Sequence, residues 1–187
     1  FEESRYFKPA DEVKCIEFRG MTLRISICED IWNEQDIFGN PRYSRDILEE
    51  LYSQGNPDLF INISASPYNR GKFRMRMNML KRIVEEYRIP FVYVNQVGGN
   101  DELVFDGASL VFDSRGSLIL KGKSFEEDFI IFDTEKNYSP MEGVDEDISW
   151  IYNGLVLGMR DYFHKTGFTK ALLGMSGGVD SSLVACI

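Results

Sequence analysis

Three groups of residues in this 187-residue chain combine types and spacing that could do chemistry. In "RISICEDIW" Cys28 sits where an apolar, β-branched run gives out, with Glu29 and Asp30 directly behind it. The carboxyl end of a strand is where open α/β folds gather side chains and backbone N–H groups around a crevice. A thiol there is a potential nucleophile, but its ordinary pKa of about 8.5 means that it needs a basic or cationic neighbour at neutral pH. Two adjacent acids supply neither, and for a cysteine without context a packed structural role is the commoner one. In "SASPYNRGK" Ser66 and Lys72 stand six residues apart, a hydroxyl and a cation that would suit a ligand with a free carboxylate. Ser64 or Ser66 capping a following helix explains the same composition.

The third group closes the chain: Gly174, Met175, Ser176, Gly177, Gly178, Val179, Asp180, Ser181 and Ser182. A Walker A loop would need GxxxxGK[ST], and no lysine follows these glycines. Gly177 and Gly178 let backbone N–H groups face an anion, the three serines add hydroxyl donors, and a following helix contributes its positive end. Asp180 beside phosphates calls for a mediating cation, for which magnesium is the natural choice. A Gly-rich turn that merely caps a helix would account for Gly177–Ser181 alone.

The elements that must position these groups alternate. Strands are predicted at 14–18, 23–28, 58–64, 90–96, 108–113, 117–122 and 129–133 from apolar or alternating β-branched runs. Between the second and third, Ser44 is a plausible N-cap for a helix with Ile47, Leu48, Leu51 and Tyr52 on one face. A longer helix is predicted over about 70–88, where Phe73, Met77, Leu80, Val84 and Tyr87 recur at helical spacing. Strand, helix, strand, helix, strand is an α/β order, and from 108 to 133 helices give way to a meander. Residues 133–148 are polar and acidic and read as a linker; an amphipathic helix of about 147–165 follows, then "TKALLGMSGG" opens a new strand and loop. This divides the chain into 1–135, a connecting 136–165, and the beginning of a second domain at 166–187. Asp106–Gly107 reads as a tight turn, with Gly98 and Gly99 easing the backbone before it. Arg74 and Arg76 read as salt-bridging surface groups, and His164 as a helix-end residue.

The totals bound what such a chain can be. With 43% hydrophobic residues it can build a core. Its 21 basic against 30 acidic side chains give a net charge of −9, which argues against a nucleic-acid partner. No run of eighteen apolar residues suggests a membrane span, and nothing resembles a signal peptide, so the cytosol is the expected compartment. Three cysteines without CxxC spacing indicate neither a disulfide framework nor a zinc site. The missing initiator Met, the aromatic-rich opening and the barely started last helix read as an internal piece of something longer.

"ICEDIW", "DLFINISASPYNRGKFRMR" and "VNQVGGNDELVFDGASLVFDSRG" resemble, in order, the carbon–nitrogen hydrolase (nitrilase) superfamily, and most closely the glutaminase domain of glutamine-dependent NAD synthetases. "SGGVDSS" resembles the pyrophosphate loop of enzymes that cut ATP between its α and β phosphates; among families with that loop, this one sets a nitrilase-like domain before it. The resemblance implies a nitrilase-like α/β sandwich, of which this would be the C-terminal part, joined to the first strand and loop of a Rossmann-like domain. It implies that Cys28 attacks glutamine, that Glu29, Ser66 and Lys72 bind it, with the Glu29 N–H a potential oxyanion donor, and that residues 174–182 hold ATP with Mg2+ at Asp180. Nicotinic acid adenine dinucleotide would be the acceptor and the protein a homo-oligomer. The family's catalytic glutamate and lysine lie upstream of the segment that "FEESRYF" resembles, so the piece alone is expected to hydrolyse glutamine at background rate. A free-standing nitrilase-type amidase and a non-catalytic scaffold are the rival readings. The reading requires an opening beside Cys28 wide enough for an amide.

Overall fold

A computed structural model describes residues 6–32 and 45–187. Its main sheet holds β1 (Ile16–Phe18), β2 (Met21–Ile27), β3 (Leu59–Ser64), β4 (Phe91–Asn95), β7 (Leu110–Phe112) and β8 (Leu118–Lys121), in the spatial order β1-β2-β3-β4-β7-β8. β5 (Val97–Asn100) and β6 (Leu103–Asp106) form a separate hairpin. The helices are α1 (Ile47–Ser53), α2 (Lys72–Tyr87), α3 (Ile148–Thr166) and α4 (Val179–Val184).

The three central strands run parallel, with antiparallel pairs on both sides. Parallel neighbours need crossover connections. Here α1 and α2 provide them, each laying an apolar stripe on the same face of the sheet: Leu48 and Leu51 from α1, Phe73, Leu80, Ile83 and Val84 from α2, packed with Phe60, Phe91 and Phe112. Along β3 the period of two is visible, with Phe60, Asn62 and Ser64 buried and Ile63 exposed. Ile27 and Val94, in register with Ile63, are exposed beside it, so an apolar patch of the other sheet face lies bare. Asp46 caps α1 by accepting from the Glu49 N–H at 3.0 Å, while the expected cap Ser44 lies outside the described residues.

Two expectations meet a different outcome. Residues 129–133 form no strand: the Asp128 carboxylate folds the chain into a loop by accepting from the Lys123 and Phe129 N–H groups at 2.9 and 2.8 Å, and Phe129 and Ile131 stay exposed. The strand expected before the terminal loop, 169–176, is irregular, exposed and unpaired, because no described strand edge is there to complete a ladder. Gly98 and Gly99, expected to ease the backbone, lie in the β5–β6 hairpin, Gly98 at φ +129°. Gly99 lets α3 come close: a Cβ on it would lie 3.1 Å from the Gly158 Cα, and its N–H donates to the Asp161 carboxylate at 2.7 Å.

Candidate active site

Cys28 opens a short 3-10 turn, Cys28–Ile31, at the carboxyl end of the central strand β2. Its φ is +45°, a left-handed conformation that costs a non-glycine residue about 1–3 kcal/mol and persists only where its surroundings impose it. They do so from both sides. The Ile27 N–H donates to the Asp30 carboxylate at 2.7 Å, the Trp32 N–H to the Glu29 carbonyl at 2.9 Å, and Ile31 is sunk in the core at 1% exposure. The chain therefore turns sharply at Cys28, and the half-buried thiol meets a cavity of about 510 Å³ with Ile63, Ser64, Pro67, Gln96 and Phe105 among its walls. The opening that the sequence reading required is present. Glu29 is the second residue of the same turn, so its N–H is among the first amides of a helical start, which lack intrahelical partners. Burial raises the pKa of Asp30, an effect its bond from Ile27 only partly offsets.

Lys72 is the first residue of α2, half-buried, with its ammonium 5.5 Å from the centre of the Trp32 ring. Burial and then the neighbouring Arg76 charge lower its pKa, while Cys28 and Glu29 pull the other way. Those last two influences put Lys72 within electrostatic reach of the thiol. Ser66 is placed differently: it lies between Ala65 and Pro67, which line the cavity, but is itself only 3% exposed. Its N–H donates to the Asn95 side-chain oxygen at 2.9 Å, and its side chain reaches Tyr93.

Beneath the site runs a buried polar chain. The Asn95 amide donates to the Gly107 carbonyl at 3.0 Å and to Asp106 at 3.3 Å; Asp106, with no exposure, is paired in two contacts with Arg76, itself 1% exposed. Burial works against the Arg76 charge, but Asp106 and Tyr93 together more than offset it and the pKa is raised. Tyr93 sits above this pair, its pKa pushed up by burial, with its hydroxyl near Ser64, Ser66 and Arg76 but in no well-formed hydrogen bond. A second buried chain, Asn62 to the Ser26 hydroxyl at 2.9 Å and Ser64 to Asn62 at 2.6 Å, crosses from β3 to β2. Strand ends, the Ser66 segment and α2 are thus joined by directional contacts under the cavity.

The terminal loop is exposed and already folded. Gly177 has φ +81°, the Gly178 N–H meets the Ser176 hydroxyl at 3.3 Å, Ser176 and Ser181 hydroxyls lie 3.1 Å apart, and the Ser182 hydroxyl donates to the Gly178 carbonyl at 2.9 Å. The helix it leads into is anchored by the Tyr152 hydroxyl, which donates to the Cys186 carbonyl at 3.1 Å. Asp180 is exposed in the first turn of α4. No group of three or more metal-ligating side chains occurs among the described residues, so a magnesium ion at Asp180 would need phosphate oxygens to complete its shell.

The family model for NAD synthase matches residues 151–187. Glutamine-dependent NAD(+) synthetase from Synechocystis is 40% identical over the whole of this chain. The solved structure of glutamine-dependent NAD+ synthetase from Acinetobacter baumannii in complex with ADP superposes with a TM-score of 0.83 at 36% identity, covering 100% of this chain and 34% of that one. The chain is homologous to the glutamine-dependent NAD(+) synthetases. It spans about a third of the length of the curated synthetases it matches, 34% in the Synechocystis protein. A carbon–nitrogen hydrolase from Helicobacter pylori shares the fold, with a TM-score of 0.55, 21% identity and coverage of 68% of this chain and 45% of that one.

Against this synthetase background, the residues singled out from sequence fall into two places. Cys28 and Glu29 share the elbow, Lys72 lies within its electrostatic reach, and Ser66 stands at the buried edge of the same cavity; Gly174–Ser182 form a separate loop. Sequence reasoning missed Arg76, Asn95 and the pairing role of Asp106. Arg76 carried a usable signal: on α2 it follows Phe73 by three residues and precedes Leu80 by four, which places it on the buried stripe rather than the surface. Arg74 is the surface ion pair it was taken for, meeting Asp145 at 2.6 Å.

Proposed function

We propose that the protein containing this chain makes NAD from nicotinic acid adenine dinucleotide, ATP and glutamine, releasing AMP and pyrophosphate. The observation that carries this reading is a thiol held at a positive-φ elbow over an open cavity, with a cation nearby, in a chain related along its full length to glutamine-dependent NAD(+) synthetases. The Cys28 thiolate adds to the carboxamide carbon of glutamine, ammonia departs, and water then cleaves the thioester to glutamate and free thiol. The Glu29 amide donates to the oxyanion of both tetrahedral states. Lys72 attracts the carboxylate of glutamine and favours the thiolate, while Ser66 fixes the segment against which the substrate lies. The proton-transferring base belongs to residues beyond these 187.

The second half of the reaction uses residues 174–182. ATP supplies the adenylyl group that turns a poorly electrophilic carboxylate into one that ammonia can attack. Backbone N–H groups around Gly177 and Gly178 and the hydroxyls of Ser176, Ser181 and Ser182 would hold the pyrophosphate oxygens, and Asp180 would face a magnesium ion shared with them. In this division 1–135 is the partial glutaminase unit, 136–165 the connection and 166–187 the beginning of the synthetase unit. A homo-oligomer in the cytoplasm, where ATP is plentiful and thiols stay reduced, fits a Cys28 that is in no disulfide.

Cys28→Ala in the full-length protein tests the reading. NAD formation from glutamine should disappear while NAD formation from ammonium salts persists at the wild-type rate. Retention of the glutamine-driven reaction would overturn the role of Cys28. Amide hydrolysis without ATP-dependent NAD formation would favour a free-standing amidase, and loss of neither reaction on mutation, with no thiol labelling by a glutamine-like electrophile, would favour a scaffold.

A further inference from the structure

The first turn of α2 carries Lys72, yet its N-cap is Gly71, at φ +84°, which has no side chain to satisfy the amides there. A helix start leaves its first N–H groups without intrahelical partners, and a Ser, Thr, Asp or Asn at the cap is the usual local remedy. Here the remedy comes from 75 residues away. The carboxylate of Glu146 accepts from the Gly71 N–H through one oxygen at 2.6 Å and from the Phe73 N–H through the other at 2.8 Å. The Lys72 N–H between them donates to the Asn69 carbonyl at 3.0 Å. Three consecutive amides are therefore pinned, and the Lys72 backbone is bracketed by one bidentate acceptor.

The same stretch is held from a second direction. Trp150, four residues after Glu146, packs against Phe73 with ring centroids 4.8 Å apart and tilted by 45°, and its ring centroid lies 6.4 Å from that of Tyr68, two residues beyond Ser66. Next to the clasp, Arg74 pairs with Asp145 on the surface. We infer that Glu146 is a positioning residue for glutamine recognition, setting the first turn of α2 so that Lys72 presents its ammonium to the site of Cys28. This rests on the assignment of Lys72 to glutamine binding made above. A negative carboxylate at a helix N-terminus is favoured by the helix dipole as well as by the two hydrogen bonds. Charge and bidentate geometry distinguish it from a neutral cap.

The test uses the full-length protein and measures glutamine-driven and ammonia-driven NAD formation side by side for Glu146→Gln, Glu146→Ala and the control Glu142→Ala, an exposed acid of the same stretch. For Glu146→Ala the KM for glutamine should rise about ten-fold, with kcat for the ammonia-driven reaction unchanged, because only binding at the first site depends on where Lys72 stands. Glu146→Gln, which keeps one accepting oxygen and the side-chain volume, should fall between the alanine variant and wild type, and Glu142→Ala should keep the wild-type KM. Amide hydrogen exchange at Gly71 and Phe73 should accelerate in both Glu146 variants and not in Glu142→Ala. An unchanged KM with accelerated exchange would overturn the inference, as would parallel losses in both reactions, which would mark a purely structural role. If the wild-type protein shows no glutamine-driven reaction at all, the functional reading fails by itself, and the exchange measurement still reports whether Glu146 holds the turn.

Discussion

Replacing Asp106 by alanine would leave the Arg76 guanidinium, 1% exposed, facing no opposite charge. The loss is not that of one hydrogen bond. Breaking a buried ion pair by removing one member strands the other, which costs about 3–5 kcal/mol. Asn95 would also lose its contact with Asp106 at 3.3 Å, although its bond to the Gly107 carbonyl remains, so the effect should stay within that range. With a urea dependence of about 2 kcal/mol per molar, the midpoint should fall by about 1.5–2.5 M. Urea unfolding followed through the buried Trp32 and Trp150 reads this directly. The informative partner is the double variant Arg76→Met, Asp106→Leu, in which neither charge is left stranded. Apolar replacement of a whole buried pair is often neutral, so it should recover to within about 1 kcal/mol of the wild type. A loss below about 1 kcal/mol for Asp106→Ala, or a double variant as unstable as the single one, would refute the account of this pair as the buried brace of the site.

Three further outcomes follow from particular contacts. Lys72 has a lowered pKa through burial, so the folded state binds fewer protons than the unfolded one between that lowered value and the ordinary lysine value, and stability rises with pH across this window. Lys72→Met should flatten that rise in alkaline unfolding curves and raise the KM for glutamine; an unaltered curve would contradict the burial argument. Gly99→Val should cost about 1–3 kcal/mol in thermal or urea unfolding, because its Cβ would lie 3.1 Å from the Gly158 Cα and the backbone of α3 cannot yield as a side chain can; a neutral result would mean that α3 shifts freely on the hairpin. Gly177→Val forces a β-branched residue to φ +81°, a strain of about 1–3 kcal/mol. Calorimetry on the full-length protein should show ATP binding weakened about ten-fold, and unchanged affinity would detach Gly177 from the nucleotide.

Most strands and helices were legible because their signals are local. The α2 stripe and the runs of β2, β3 and β4 repeat at the periods of the structures they form. Residues 129–133 carry the same β-branched signal but meet no partner edge, and pairing is a property of the fold rather than of the segment. The terminal 169–176 fails in the same way. At the site, Cys28 could be placed at a strand end from its neighbours alone, whereas the positive φ that aims it could not, since nothing in "SICED" demands a left-handed cysteine. Glu146 was illegible for a different reason: the polar, acidic stretch around it has a linker's composition, and only the three-dimensional path brings its carboxylate to Gly71 and Phe73.

Position and activation of the thiol come from different parts of the molecule. The elbow is fixed by short-range contacts, Asp30 to the Ile27 N–H, the turn closed at Trp32, and Ile31 driven into the core. None of these groups is a cation. On the proposed function, the positive charge that favours a thiolate comes from α2, whose first residue is Lys72. That helix is registered to the strand ends by Arg76, one turn after Lys72, through Asp106 and Asn95 to the Ser66 segment. An apolar core would hold α2 against the sheet with similar strength but would tolerate small slides, because burial is non-directional. A bidentate ion pair one turn along and a bidentate carboxylate at the helix start admit far less freedom. On the proposed function the buried polar groups, which contribute little net stability as a pair, set where the Lys72 cation stands relative to the strained Cys28.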